Sequence, residues 1–255
     1  MKRVGGLGPP ILLFWGVVGL WETVVRVAGI QGFLLPPPSE VFTTLMTEWS
    51  VVWSAGLFTL REAVGGLVAG GVLGVVAALA TARWTLMREG LMPFSIAASS
   101  APIVALAPIT NQWFGITNPV SKMTVVAVMV FFPVMINMVR GLTDVDAAKL
   151  ELMKSVAAPD YSTLVKVRLP NALPYLFSAL KVAIALSLIG AIVSEYFGGS
   201  RNALGIYISQ QAALTRMAEA WAGIVVAIIL GAGMQLLLVV IERRVMPWHA
   251  SRQTR

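Results

Sequence analysis

The stretch AKLELMKSVAAPDYSTLVKVRLPNALPYL, Ala148 to Leu176, interrupts an otherwise apolar chain with amphipathic, charge-bearing residues. Its pattern is that of two short helices. Asp146 can cap the first, in which Leu150, Met153 and Ala157 recur at helical spacing before Pro159-Asp160 breaks it. In the second, Tyr161, Leu164 and Val165 share a face, and Leu169-Pro170 is expected to end it. A helix pair with an apolar edge ringed by charge either docks in a partner's groove or lies on the inner leaflet of a membrane.

The residues on both sides place this stretch in a membrane protein. Of 255 residues 57% are hydrophobic and 12% charged, against about 25% charged in soluble domains, and the mean hydropathy is +0.81. Six spans are predicted: Pro10–Ala28, Ala63–Thr81, Ile96–Phe114, Met123–Val139, Leu176–Phe197 and Ala222–Ile241. Each is near the ~20 apolar residues that carry a helix through a bilayer. The expected fold class is an all-α integral membrane protein forming one transmembrane domain, 1–255, with no separate soluble domain. The opening MKRVGG and its apolar run are expected to be a retained first span, because Glu22 and Arg26 interrupt the run and no small-residue cleavage site follows.

Lysine and arginine set the expected orientation. Thirteen of the nineteen (Lys2, Arg3, Arg83, Arg88, Arg140, Lys149, Lys154, Lys166, Arg168, Arg243, Arg244, Arg252 and Arg255) fall on the side of the N-terminus. Arg26, Arg61, Lys122, Arg201 and Arg216 fall at the other ends of the spans, and Lys181 lies at the start of span five. The bias puts both termini and the opening stretch in the cytoplasm. It also accounts for the net charge of +7 without a nucleic-acid partner.

Within the spans, Gly66, Gly70 and Gly74 repeat every four residues and make a flat stripe for helix packing. After span one, three prolines precede Ser39, an expected N-cap of an outer interfacial helix with Val41, Phe42, Leu45 and Trp49 on one side. Pro102, Pro108 and Pro133 free backbone carbonyls in spans three and four, which marks either simple kinks or broken helices bordering a transport path. Glu22 and Arg26, four apart, are expected to neutralise each other, Lys181 to snorkel to the cytoplasmic interface, and Glu195 to anchor the outer end of span five or act as a gate.

The chemistry missing from the chain limits its function. There is no Gly-Lys-Ser or Gly-Lys-Thr of a phosphate-binding loop, no cysteine, and one histidine, His249, in the basic tail. No metal cluster or Ser-His-Asp set can be assembled, and no buried carboxylate pair is expected. An enzyme is not expected, and any ATP must be bound by another subunit.

The opening stretch then resembles the EAA signature of permease subunits of bacterial ATP-binding-cassette importers, in which a Glu, a small residue six positions on and a Leu-Pro about twelve further keep register. Here these are Glu151, Ala157 and Leu169-Pro170. FLLPPPSEVF, PIVALAPITNQWFGI and FFPVMINMVRGLTDVDA are similar to the nitrate/taurine/sulfonate-type permeases, so that the likeness runs from Leu34 to Arg244. Leu152 and Met153 replace the usual alanines, and Ala157 stands where Gly is common, which puts the shape of that turn in question.

The resemblance implies a type I importer permease fold in the bacterial inner membrane, with a coupling segment at 147–170 formed by Glu151, Leu152, Met153, Ala157, Ala158, Tyr161, Leu164, Leu169 and Pro170. It also implies two ATPase subunits that hold ATP and magnesium, a second permease copy and an extracytoplasmic substrate-binding protein, with transport by alternating access. Candidate path residues are Ser99, Ser100, Asn111, Gln112, Trp113, Asn137, Ser194 and Glu195. Lys181 is the one base expected at membrane depth, so a neutral heteroaromatic solute fits at least as well as nitrate, a sulfonate or taurine. AIVSEYFGGSRNALGIYI resembles the branch serving pyrimidine and riboflavin precursors. The competing classes are an ion-gradient-driven secondary transporter, opposed by the lack of membrane-centre acids, and a scaffold that moves nothing.

Overall fold

The computed structural model describes residues 8–247, apart from the side chains of 85–88. Lys2, Arg3, His249, Arg252, Arg255 and the side chain of Arg88 therefore lie outside the described residues. Backbone crossing a bilayer has to bond within itself, and this chain does so with helices. In order they are α1 (Gly8–Val27), α2 (Pro38–Thr47), α3 (Trp49–Arg83), α4 (Thr85–Ser99), α5 (Ala107–Phe114), α6 (Pro119–Thr143), α7 (Ala147–Ser155), α8 (Asp160–Thr163), α9 (Leu169–Tyr196), α10 (Leu204–Ala213) and α11 (Met217–Val245). Five helical stretches are long and apolar enough to cross a membrane: α1, α3, α6, Asp160–Tyr196 and α11. The sixth passage is not one helix. Glu89–Ser99 and Ile103–Phe114 meet at 89°, which makes span three the broken-helix alternative that Pro102 allows.

Two other boundaries need correction. The predicted span Ala63–Thr81 is the inner part of a 35-residue helix, about 52 Å long against a hydrocarbon core of about 30 Å. Arg61, expected at its outer end, lies more than three turns inside the helix. Leu169-Pro170 does not end a helix either. Residues 164–168 form a π turn in which the Leu169 N–H bonds back to the Leu164 carbonyl, five residues earlier. The widened turn takes the place of the ordinary ladder where Pro170 offers no N–H and its ring would press on the carbonyl four residues back. Asp160–Tyr196 is thus one 37-residue rod.

The centre of the molecule is the contact of α3 with α6. A Cβ at Gly66 would strike Val126 and the Met123 carbonyl, one at Gly70 the Ala127 carbonyl, and one at Gly74 the Phe131 carbonyl. The stripe therefore does what the spacing predicts: backbone lies on backbone. The same device recurs between α6 and α9, where a Cβ at Gly141 would come 2.7 Å from the Ala172 Cα. Around these seams Ala63, Val126, Val130, Val134, Ala183 and Ala191 form the middle of the core. Met135, Met138, Leu142 and Ala172 continue it toward the α7–α8 end. At the opposite end Val52, Leu204, Ile208 and Val226 join α3, α10 and α11.

The remaining elements are peripheral. In α1 only Val25 is buried, and the helix is tied on by Trp21 against Trp221 at 4.9 Å and by a polar knot. Glu22 pairs with Arg26 at 2.5 Å, as their spacing predicts. Ser39 does not cap α2, whose N-cap is Pro37; its N–H donates to Glu22 Oε2 at 3.0 Å and its hydroxyl to Oε1 at 2.9 Å. Val41 and Leu45 of the expected apolar face are buried, whereas Phe42 and Trp49 are exposed. Lys181, its side chain 40% exposed, pairs with Glu242 in the last turn of α11 at 2.7 Å.

Since Gly70 meets backbone that cannot swing aside, Gly70→Ala should lower the thermal unfolding stability of the detergent-solubilised protein by about 1–3 kcal/mol. A Cβ at Gly71 would meet nothing within 4 Å, and Gly71→Ala should be neutral or stabilising by up to about 1 kcal/mol.

Candidate functional site: a docking end, a broken span and a buried charged cluster

At one end of the bundle the helix pair α7–α8 is rooted in the core and open on its outer side. Asp146 caps α7, its Oδ1 accepting from the Ala148 N–H at 3.0 Å. The helix stops in a Schellman turn, with the Ala158 N–H on the Met153 carbonyl and the Ala157 N–H on the Lys154 carbonyl, both at 2.9 Å. Ala157 accordingly sits at φ +49°, in the left-handed region that glycine enters at lower cost. Pro159 then starts the turn into α8.

The root is made by polar groups that satisfy the last carbonyls of α6. Arg168 donates to the Leu142 carbonyl at 3.2 Å, and the Asn171 amide donates to the carbonyls of Gly141 and Asp144 at 2.9 Å each. The Tyr175 hydroxyl donates to Asp144 Oδ2 at 2.6 Å. Leu164 and Leu169 pack against the Met135–Leu142 part of the core, so Leu164 is a root and not part of the open edge. Pro170 is half-buried with them. What faces outward is Leu152, Val156 and Tyr161, exposed by 63%, 65% and 75%, with Glu151 and Ala157 exposed beside them and Met153 and Ala158 half-buried.

The candidate path residues do not form one set. Ser99, Ser100, Gln112 and Trp113 are exposed along the broken span, whose bend lies at Ser100–Pro102. Irregular backbone at membrane depth is tolerated where it is covered by protein or lines a water-filled cavity. Asn137 is half-buried, and its amide donates to the Pro133 carbonyl at 2.8 Å. Asn111, Ser194 and Glu195 are buried and present nothing to a passing solute. Pro108 opens α5 instead of kinking it, and α6 runs through Pro133 without a break.

The bundle end opposite α7–α8 holds what the sequence argument denied: buried charge. Glu62, Lys122 and Glu195 are 2%, 1% and 0% exposed. Glu195 is no interfacial anchor. Its Oε1 accepts from the Thr59 hydroxyl at 2.7 Å and its Oε2 from the Gly205 N–H at 2.5 Å, while Thr59 Oγ1 accepts from the Leu204 N–H at 2.9 Å. Glu62 Oε2 is buried with no hydrogen-bond partner among the described residues, and Glu62, Glu195 and Lys122 lie close enough to act on one another's charge. The lysine donates to Asn111 Oδ1 at 2.9 Å and to the Ile116 carbonyl, and the Asn111 amide donates to the Phe197 carbonyl at 3.2 Å. Thr59 and Glu62 lead into the face that continues as Gly66, Gly70 and Gly74, and this spacing was the signal that Glu62 points inward.

Comparison with known proteins bears on the family and the fold. The family described as binding-protein-dependent transport system inner membrane component matches residues 70–247. The riboflavin transport system permease of Chloroflexus aurantiacus is 28% identical over 96% of this chain and 91% of its own. The formylaminopyrimidine transport permease of Halalkalibacterium halodurans is 30% identical over 79% and 80% of the two chains. Among solved structures, an amino acid ABC transporter crystallised with histidines superposes with a TM-score of 0.63 over 78% of this chain and 96% of that one, at 17% identity, which speaks for the fold.

The strain at Ala157 is testable by itself. Ala157→Gly should raise the melting temperature and slow proteolytic nicking between α7 and α8, the gain being about 1 kcal/mol. Ala157→Val should do the opposite.

Proposed function

From a chain that belongs to the family of inner-membrane components of binding-protein-dependent transport systems, and is thus the permease subunit of an ATP-binding-cassette importer, we propose how the two ends of the bundle are used. The membrane-embedded chain is a transport subunit and not an enzyme by family. The α7–α8 pair is the docking element for an ATPase subunit, and the observation that carries this is its geometry: an open apolar edge of Leu152, Val156 and Tyr161 on a base pinned to α6 and α9 by Arg168, Asn171 and Tyr175. Glu151, Met153, Ala157 and Ala158 complete the surface. Two such permeases, two ATPases that hold ATP and magnesium, and an extracytoplasmic binding protein make the working complex, with both termini and α7–α8 in the cytoplasm of a bacterium.

The rival class, an ion-coupled carrier, gains acids from the Glu62–Glu195 pair, but both are sealed from solvent, and Glu195 is spent on bonds to Thr59 and Gly205. The rooted docking edge has no use in such a carrier.

The solute passes along the exposed face of the broken span, by Ser99, Ser100, Gln112 and Trp113. Lys122 lies close by, yet its ammonium is turned inward to Asn111 and Ile116, so this face offers hydroxyls, an amide and an indole but no fixed positive charge. That chemistry suits a neutral heteroaromatic compound, which stacks on an aromatic ring and needs a few hydrogen bonds. Relatives named for riboflavin and formylaminopyrimidine transport support the same class.

Leu152→Asp and Tyr161→Asp, both at exposed positions, should leave the solubilised chain folded while removing a phosphate-binding-loop ATPase from its copurifying complex. Retention of that ATPase by both variants would end the docking assignment. The chain has no cysteine, so Ser155→Cys and Gly32→Cys are sole reporters of sidedness: the first should label only from the cytoplasm, the second only from outside. In the reconstituted complex, formylaminopyrimidine or riboflavin presented with the binding protein should stimulate ATP hydrolysis. Stimulation by a sulfonate alone would overturn the solute class.

A further inference from the structure

The buried cluster at the end opposite α7–α8 has no part in docking, and none of its side chains touches the exposed path face. It nevertheless reaches that face through the backbone. Between α5 and α6 the chain turns over Gly115, at φ +96°, and the turn is held from outside. Lys122, near the start of α6, donates to both ends of it, the Asn111 side chain and the Ile116 carbonyl. Asn111 in turn grips the Phe197 carbonyl at the end of α9, and Ile116 lies so close to Gly198 that a Cβ there would come within 2.6 Å of its side chain.

Burying an ammonium costs several kcal/mol even after the surroundings relax, and a leucine or methionine would fill the same space with no such cost. Glu62 and Glu195 are its acidic neighbours, and Thr59 and the Gly205 N–H fix Glu195 in turn. What the lysine provides that an apolar residue cannot is a pair of donors joining two points of one turn. Gln112 and Trp113 sit between those points.

We propose that Lys122 is the positioning residue of the translocation path, bracing the Asn111–Ile116 turn against α9 and thereby setting where Gln112 and Trp113 stand in each state of the transporter. The proposal rests on α5 lining the path. It makes Lys122 more than a countercharge for the carboxyl pair, and that difference is measurable.

The experiment uses the full complex in proteoliposomes and follows the rate at which a water-soluble maleimide modifies Gln112→Cys, with ATP absent and with the ATPases trapped by vanadate. In the parent background the rate should change by about tenfold or more between the two states, the scale of a charge-assisted hydrogen bond. Lys122→Met alone strands a carboxylate and should lower the melting temperature. Lys122→Met with Glu195→Gln removes both charges together and should recover most of that loss, yet the state dependence at Gln112→Cys should remain abolished. Asn111→Ser, which strands no carboxylate, should abolish it in the same way, its melting temperature lowered by the loss of the Lys122 and Phe197 bonds. Should either variant remain folded in the complex and keep the full state dependence, Lys122 has no positioning role and the proposal fails. If the parent background itself shows no state dependence while Leu152→Asp still uncouples the ATPase, it is the placing of the path along α5 that fails, and the positioning role falls with it.

Discussion

The arrangement depends on α3 and α6 lying closer than side chains allow. Water gives no hydrophobic drive between helices inside a bilayer, since lipid tails are as apolar as leucine, and association comes from close packing and polar contacts. Residues 66, 70 and 74 meet that requirement by having no side chains where the backbone of α6 passes. Gly141 repeats it on the other side of α6 against Ala172 of α9. Two seams of this kind make α3, α6 and α9 a single slab. The flanking elements are bound differently, α1 by the Glu22–Arg26–Ser39 knot, α11 by Lys181–Glu242 and by Gln235 on the Lys181 carbonyl.

How far the sequence could be followed depends on whether a feature is local. The cap at Asp146, the break at Pro159, the glycine face of α3 and the awkward turn at Ala157 are decided by residues within one or two turns, and all are legible. Leu169-Pro170 is different. A proline in a helix is a stop unless a widened turn absorbs it, and that turn is held by Leu164 and Leu169 packing on α6, which no local pattern contains. Charge misleads in a related way. Arg61, Glu62 and Lys122 look like the polar rims of spans because isolated charges belong there. Arg61 is exposed, but the depth of Glu62 and Lys122 shows only when α3, α5, α6 and α9 are brought together. On α3 the sign was present all the same, since Thr59 and Glu62 share the glycine face, and a face that admits no side chain further along is pointing inward.

The candidate path was legible as a region and not as residues. Prolines at 102 and 108 correctly mark a broken span, but the 89° bend divides its polar side chains into those that look out, such as Gln112, and those that hold the protein together, such as Asn111. Sequence lists both as polar residues on one helix. Only Asn111's bonds to Lys122 and Phe197 separate structure from surface.

The two ends of the molecule are mechanically joined by the Asp160–Tyr196 rod, about 55 Å long at 1.5 Å per residue. Its first turn carries Tyr161 of the exposed edge, and Glu195 near its far end is fixed to α3 through Thr59 and to α10 through Gly205. A push at α8 therefore cannot be absorbed by bending near its point of application: Arg168 and Asn171 pass it to the end of α6, and the glycine seam passes it from α6 to α3. Sliding one of these helices against the others would separate Glu195 from Thr59 or Lys122 from Asn111, breaking a buried hydrogen bond to an ionisable group, which costs about 1.5–3 kcal/mol. Rigid rotation of the slab breaks none of these bonds. The backbone outside it that is already irregular, at Ser100–Pro102, is where relative displacement meets least resistance, and it is also where the exposed side chains of the candidate path begin.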